Sequence, residues 1–218
     1  MHIRTQSRPE LLLLLSLLTV ILLNPVLDHG DLRRLILLAL TFVPVILSTI
    51  TLSQKKQWLW PSLLLMVGTL IVGIISIFFP NQMFLGIKWG LLAAFFALAV
   101  AGLFSFLRHA RSVALTHLFT AVSIYLLLGM LWFALYCAMD VIEPGSFGRS
   151  NNTLADRQSE LLYFSLITLS TIGYGDVVPL QGEARMVAAL EGVTGVLYVA
   201  ITVAMLVNAY RQQSQPSE

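Results

Sequence analysis

Charge is scarce in this sequence. Asp, Glu, Lys and Arg together make up 11% of 218 residues, against about 25% in a soluble globular domain, so a water-facing shell cannot be built from it. There is one cysteine, Cys137, which excludes an intrachain disulfide framework and any multi-cysteine metal site. The net charge of +2 is too small and too scattered for nucleic-acid binding. No nucleophile–base pair and no metal-ligand cluster stands out, which argues against an enzyme and against a cofactor. Apolar residues are abundant instead, at 57%. That excludes disorder and leaves an integral membrane protein, with the lipid bilayer as its first partner.

A spanning helix needs about 20 largely apolar residues, each adding about 1.5 Å across an oily core of about 30 Å. Six runs fit: 10–27, 32–52, 58–79, 84–107, 115–139 and 184–210. They are continuous rather than alternating, which disfavours a membrane β-barrel. Helices satisfy their own backbone groups inside lipid. The punctuation agrees: Asn24-Pro25, Asp28-His29-Gly30-Asp31, Ser53-Gln54-Lys55-Lys56-Gln57, Pro80-Asn81-Gln82 and Arg108-His109-Ala110-Arg111 separate the runs. Trp58 and Trp60 sit where an interfacial aromatic belt belongs. Pro44 falls inside the second run and predicts a kink there.

The short loops set the orientation. Arg4, Arg8, Lys55, Lys56, Arg108, Arg111 and Arg211 share one side, opposed only by Glu10 and Glu218. The other side mixes acids with Arg33, Arg34, Lys88, Arg149, Arg157 and Arg185. Both termini are therefore expected in the cytoplasm. Residues 1–27 also look like a signal peptide, but no small-x-small cleavage site follows the leucine run. Cleavage would leave five spans, so a retained helix is the reading taken.

Between the fifth and sixth runs lies a stretch that does not span. A polar part, 143–152, is followed by a helical pattern over 157–169, too short to cross, and then by Thr171-Ile172-Gly173-Tyr174-Gly175-Asp176 and Val177-Val178-Pro179. Non-helical backbone at membrane depth is tolerated only where it is buried in protein or lines a cavity.

Thr168-Leu169-Ser170-Thr171-Ile172-Gly173-Tyr174-Gly175-Asp176 resembles the pore signature of tetrameric potassium channels. The resemblance covers roughly 115–210: outer helix, pore helix, filter and inner helix. It implies an all-α membrane protein of six transmembrane helices, with a re-entrant pore helix and filter between the fifth and sixth. The permeant ion would be K+. Shedding its hydration shell requires replacement oxygens, which rings of backbone carbonyls supply. By resemblance these come from Thr171, Ile172, Gly173 and Tyr174, with the Thr171 hydroxyl at the inner end. Gly173 and Gly175 would supply backbone angles closed to residues with a Cβ. Asp176, Thr168, Tyr163 and Phe164 would brace the filter. One motif per chain and a ring of four loops imply a homotetramer.

Several positions depart from the family. Tyr163 and Phe164 stand where many members have tryptophans. Ile167 replaces a glutamate that pairs with the filter aspartate in some bacterial relatives. Thr202-Val203-Ala204 replaces the Pro-x-Pro bend of voltage-gated relatives, and Gly195 matches the hinge glycine.

On the last run, Gly192, Gly195, Val196, Val199, Val203 and Val207 share a stripe at helical spacing. It reads as a pore lining with Val203 or Val207 as a hydrophobic gate, or as ordinary helix packing through small residues. Glu191 is the one acid well inside a run, and intramembrane acids default to a functional hypothesis. It lies about 110° from the valine stripe, so it should flank the pore as a hydrogen-bonded acid behind the filter, with Ser170 or Thr168 as candidate partners. His109 and His117 near the inner surface are pH-sensing candidates or solvated bystanders. Asn151-Asn152-Thr153 is a glycosylation sequon, relevant only in a secretory-pathway cell.

The expected organisation is 1–112 as a four-helix membrane region, 113–211 as the pore domain and 212–218 as a short cytoplasmic tail with no room for a regulatory domain. The six-helix layout resembles voltage-gated channels, but the sensor is missing: the fourth run has Lys88 near its start and no further basic residue until Arg108. Steep voltage dependence needs about 3–4 gating charges per subunit. The function implied is a potassium-selective channel in a membrane, prokaryotic by expectation, not gated by a conventional voltage sensor. A channel-like potassium transporter, a non-selective cation channel and a non-conducting subunit are the alternatives. One intact Gly-Tyr-Gly disfavours the first and Tyr174 the second.

Overall fold

The structure, a computed structural model, describes residues 8–24, 31–52, 56–79, 81–108, 114–148 and 154–214. Among these described residues seven helices follow in chain order: α1 (Arg8–Leu23), α2 (Asp31–Leu52), α3 (Lys56–Phe78), α4 (Gln82–Arg108), α5 (Leu115–Ile142), α6 (Leu154–Leu169) and α7 (Gly182–Ser214). Two short strands, β1 (Phe147–Gly148) and β2 (Val178–Pro179), pair antiparallel around α6. Each expected apolar run became a helix, and the short pattern before Thr171 became α6. The loops 25–30, 53–55 and 109–113, the sequon at 151–153, His109, Arg149 and both chain ends lie outside the described residues.

By length and composition, four helices among the described residues can cross a membrane: Gln57–Phe78, Gln82–Arg108, Leu115–Ile142 and Gly182–Arg211. Pro9–Leu23 and Thr41–Leu52 are shorter apolar helices. The helices hide their own polar groups as lipid demands. Ser16, Thr49, Thr69, Ser76, Thr120 and Thr194 each bond a carbonyl three or four residues earlier, so these six hydroxyls keep their protons off hydrocarbon. α2 runs through Pro44.

α5 is the hub. It packs against α1, α4, α6 and α7, and its buried residues, such as Ile124, Leu127, Phe133 and Tyr136, occupy several sides of the helix. A helix apolar on all sides belongs in an interior. One buried cluster runs from Leu13 and Leu17 of α1 through Phe95 and Phe96 of α4 to α5 and α6, so the N-terminal helices share a core with α5 and α6. α5 starts at a sharp cap: the Ala114 amide donates to His117 Nδ1 at 3.1 Å, and the His117 ring stacks on Phe106 of α4, centroids 5.5 Å apart. His117 is thus a capping residue, not a bystander.

α7 is the opposite case. In its most apolar stretch 17% of residues are buried, against 56% in α5. Leu190, Val193, Val196, Leu197, Val199, Val203 and Val207 are all exposed.

Candidate ion-conduction site

The site is built on α6, a helix of 16 residues, too short to span. Its N-terminal end is tied down from two directions. Arg157 forks onto Asp140 near the end of α5, Nε to Oδ2 at 3.0 Å and Nη2 to Oδ1 at 2.7 Å, and also donates to the Phe147 carbonyl at 2.9 Å. A planar guanidinium suits such a two-bond grip. Three residues on, Glu160 lies 3.9 Å from the same guanidinium. Ser159 donates to Asn24, just past α1, at 2.5 Å. The strands close the frame: Phe147 opposes Pro179, Gly148 opposes Val178, and the Leu180 amide bonds the Ser146 carbonyl at 2.8 Å.

After Leu169 the chain leaves the helix and turns back. The amides of Ile172 and Gly173 both reach the Ile167 carbonyl, at 2.9 and 3.1 Å, and the Thr171 amide reaches Thr168 at 3.0 Å. Thr171, Gly173 and Gly175 have φ of +61°, +51° and +78°. Alternate residues in the left-handed region turn successive peptide planes, which a run of β backbone cannot do. At two of these positions glycine meets the angle without cost; at Thr171 a β-branched residue holds it against steric preference. Residues 171–176 are exposed on the single chain, Tyr174 and Ile172 at 72% and 55%. Asp176 is exposed, and Thr168 is half-buried.

Phe164 is buried in an aromatic trio. Its ring centroid lies 5.1 Å from Tyr136 and 5.5 Å from Phe147, and the latter two are 5.1 Å apart. Tyr163, its neighbour, is on the exposed side. The structure therefore separates the two aromatic residues that sequence reading grouped together.

Glu191 is fully buried. Ser165 Oγ lies 2.6 Å from Oε1, and the Tyr136 hydroxyl donates to Oε2. The partners expected from sequence were Ser170 or Thr168, and that expectation is corrected. Ser170 ends α6 and folds back onto the Leu166 and Ile167 carbonyls, at 2.7 and 3.3 Å, while Glu191 sits a turn higher, level with Ser165. Arg157, Asp140, Tyr136 and Ser165 are the site residues sequence reading missed. All four act across elements with no fixed spacing between them, so no local pattern could have flagged them.

Gly195 is buried against the end of α6. A Cβ there would run into the Leu169 carbonyl oxygen and stand 2.9 Å from its carbon. α7 continues as helix through this position. Gly195 thus stands apart from Val196, Val199, Val203 and Val207, which are exposed at 47–56%, and Gly192 is half-buried.

Residues 113–212 match a protein family described as ion channels. A Rhodopseudomonas palustris protein whose name places it provisionally among the potassium channels is 37% identical over 79 residues, 36% of this chain and 17% of its own. The human voltage-gated potassium channel KCNC3 is 33% identical over 100 residues, 44% of this chain and 13% of its own. The rice two pore potassium channel a is 35% identical over 85 residues, 39% of this chain and 22% of its own. The chain thus spans less than a quarter of the length of these curated relatives. No solved structure matches it.

Proposed function

We propose, from the match of residues 113–212 to a family described as ion channels, that the protein is a potassium-selective channel that passes K+ passively across a membrane. The observation that carries the reading is the backbone after α6, with positive φ at Thr171, Gly173 and Gly175 inside a Thr-Ile-Gly-Tyr-Gly-Asp motif. Such backbone can present the carbonyls of Thr171, Ile172, Gly173 and Tyr174 to one axis, with Thr171 adding its hydroxyl, and a ring of them replaces the ion's water. Thr168, Tyr163, Phe164 and Asp176 brace that ring. The C-terminal, negative end of α6 favours a cation in the cavity below.

Four copies of the chain surround the axis. The exposed filter and the uncovered apolar face of α7 are what a neighbouring copy and the pore itself would cover. Val196, Val199, Val203 and Val207 line the inner pore, with Val203 or Val207 as a hydrophobic gate, and Gly195 is where α7 would bend. All six apolar helices span, both termini face the cytoplasm, and the membrane is that of a prokaryotic cell. No catalysed step and no cofactor is involved.

The test is flux from liposomes holding the purified chain, under K+ or Na+ gradients, beside Gly173→Ala. K+ flux far above Na+ flux, lost in the variant, is the expected outcome. Equal fluxes would replace the reading with a non-selective channel, and no flux at any voltage or pH would favour a non-conducting subunit.

A further inference from the structure

The buried cluster of Glu191, Ser165, Tyr136 and Gly129 has a fixed number of protons. Ser165 Oγ stands 2.8 Å from the Gly129 carbonyl and 2.6 Å from Glu191 Oε1. A carbonyl only accepts, and a serine hydroxyl has one proton to donate. If Glu191 were a carboxylate, two acceptors would compete for that proton, and one oxygen pair would face each other with nothing between. If Glu191 carries a proton on Oε1, the count closes. Tyr136 donates to Oε2, Glu191 donates to Ser165, and Ser165 donates to Gly129. The ion pairs of Arg157 with Asp140 and Glu160, recorded among the described residues, do not reach Glu191, and an uncompensated buried carboxylate is costly.

We infer that Glu191 works as a neutral hydrogen-bonding acid that clasps α6 between α5 and α7 and so positions the filter. Gly129 and Tyr136 belong to α5, Ser165 to α6 and Glu191 to α7, so three helices meet in one hydrogen-bonded chain. The clasp lies one turn above the filter's own support. Ser165 and Leu169 are a turn apart on α6; Glu191 and Gly195, which face them, are a turn apart on α7. The two contacts hold α6 parallel to α7, and the last turn of α6 supplies the Ile167 carbonyl that receives the Ile172 and Gly173 amides. Glu191 is buried within its own chain, so the clasp needs no neighbouring copy. Glu191 and Ser165 are positioning residues; they touch no ion.

The effect on the filter rests on the proposed function, whereas the protonation of Glu191 does not, and two measurements keep them apart. The first is the infrared difference spectrum of the full chain in lipid at neutral pH, wild type minus Glu191→Gln. A carbonyl stretch of a protonated carboxylic acid is expected; carboxylate bands in its place would overturn the inference. The second is K+ and Na+ flux. Glu191→Gln supplies an acceptor for Tyr136 and an N–H for Ser165, so it should keep wild-type flux and selectivity, while Glu191→Leu and Ser165→Ala should lose selectivity. Loss of selectivity in Glu191→Gln, with wild type conducting, would also overturn it. Should Glu191→Leu fail to fold, the Gln variant and the spectrum still decide. If wild type carries no K+-selective flux, the proposed function falls and the spectrum alone judges the acid.

Discussion

Gly195 of α7 lies directly against the carbonyl of Leu169, the last residue of α6, so closely that a Cβ would stand 2.9 Å from the carbonyl carbon. The neighbour it would strike is backbone, which cannot rotate away as a flexible side chain can. Gly195→Ala should therefore push the end of α6 or bow α7. Overpacking of this kind costs about 1–3 kcal/mol. A lower melting temperature of the purified protein, together with reduced K+ selectivity, is the expected result. An alanine variant that melts and conducts as wild type would show that α7 yields freely here.

Arg157 and Asp140 make the second prediction. Their side chains are 13% and 16% exposed, sheltered enough for a two-bond charged pair to matter. Hydrogen bonds to charged groups contribute about 1.5–3 kcal/mol, so Arg157→Leu or Asp140→Leu should lower the melting temperature, and the double variant should lose less than the sum. Arg157→Lys should rescue only in part, because a point charge cannot reproduce the fork. Additive losses in the cycle would show that the pair is uncoupled.

Thr171 gives a prediction in two directions. Its φ of +61° costs a residue with a Cβ about 1–2 kcal/mol, and glycine would relieve that. Glycine also loses about 0.5–1 kcal/mol through the entropy of the unfolded chain, so Thr171→Gly should leave the melting temperature near wild type. Selectivity should fall, because the hydroxyl is gone. Thr171→Ser should keep it. Selectivity ratios from bi-ionic flux would check both.

The fourth prediction concerns voltage. Lys88, near the start of α4, sits 4.1 Å from the ring centre of its neighbour Trp89, and the next basic residue on that helix is Arg108 at its end. Each gating charge is worth about 2.3 kcal/mol per 100 mV, and α4 has no row of them. Currents recorded in a planar bilayer should scale with driving force across the voltage range. A steep, saturating open-probability curve would contradict this and point to charges elsewhere in the chain.

Most of the element boundaries were legible in the sequence. The expected runs 32–52 and 115–139 became Asp31–Leu52 and Leu115–Ile142, because an apolar run long enough to hide its backbone has one economical solution in lipid. α6 begins at Leu154, three residues before the expected start at 157, since the polar Ser150-Asn151-Asn152-Thr153 stretch just ahead of it reads as loop. The partners of Glu191 were misassigned. Helical periodicity gives the angle at which a side chain leaves its axis, not the height at which a neighbouring helix crosses, and Ser165 rather than Ser170 is at that height.

Composition and local pattern alone determined that this chain belongs in a membrane, where its helices run, and that a Thr-Ile-Gly-Tyr-Gly-Asp turn interrupts them. These depend on hydropathy and backbone sterics, which act over a few residues. The tertiary structure decided what holds that turn in place: Arg157 on Asp140, Phe164 between Tyr136 and Phe147, Gly195 beneath Leu169, and Glu191 against Ser165 and Tyr136. Each joins residues from different elements, and the spacing between them follows from how those elements pack, which no local period encodes.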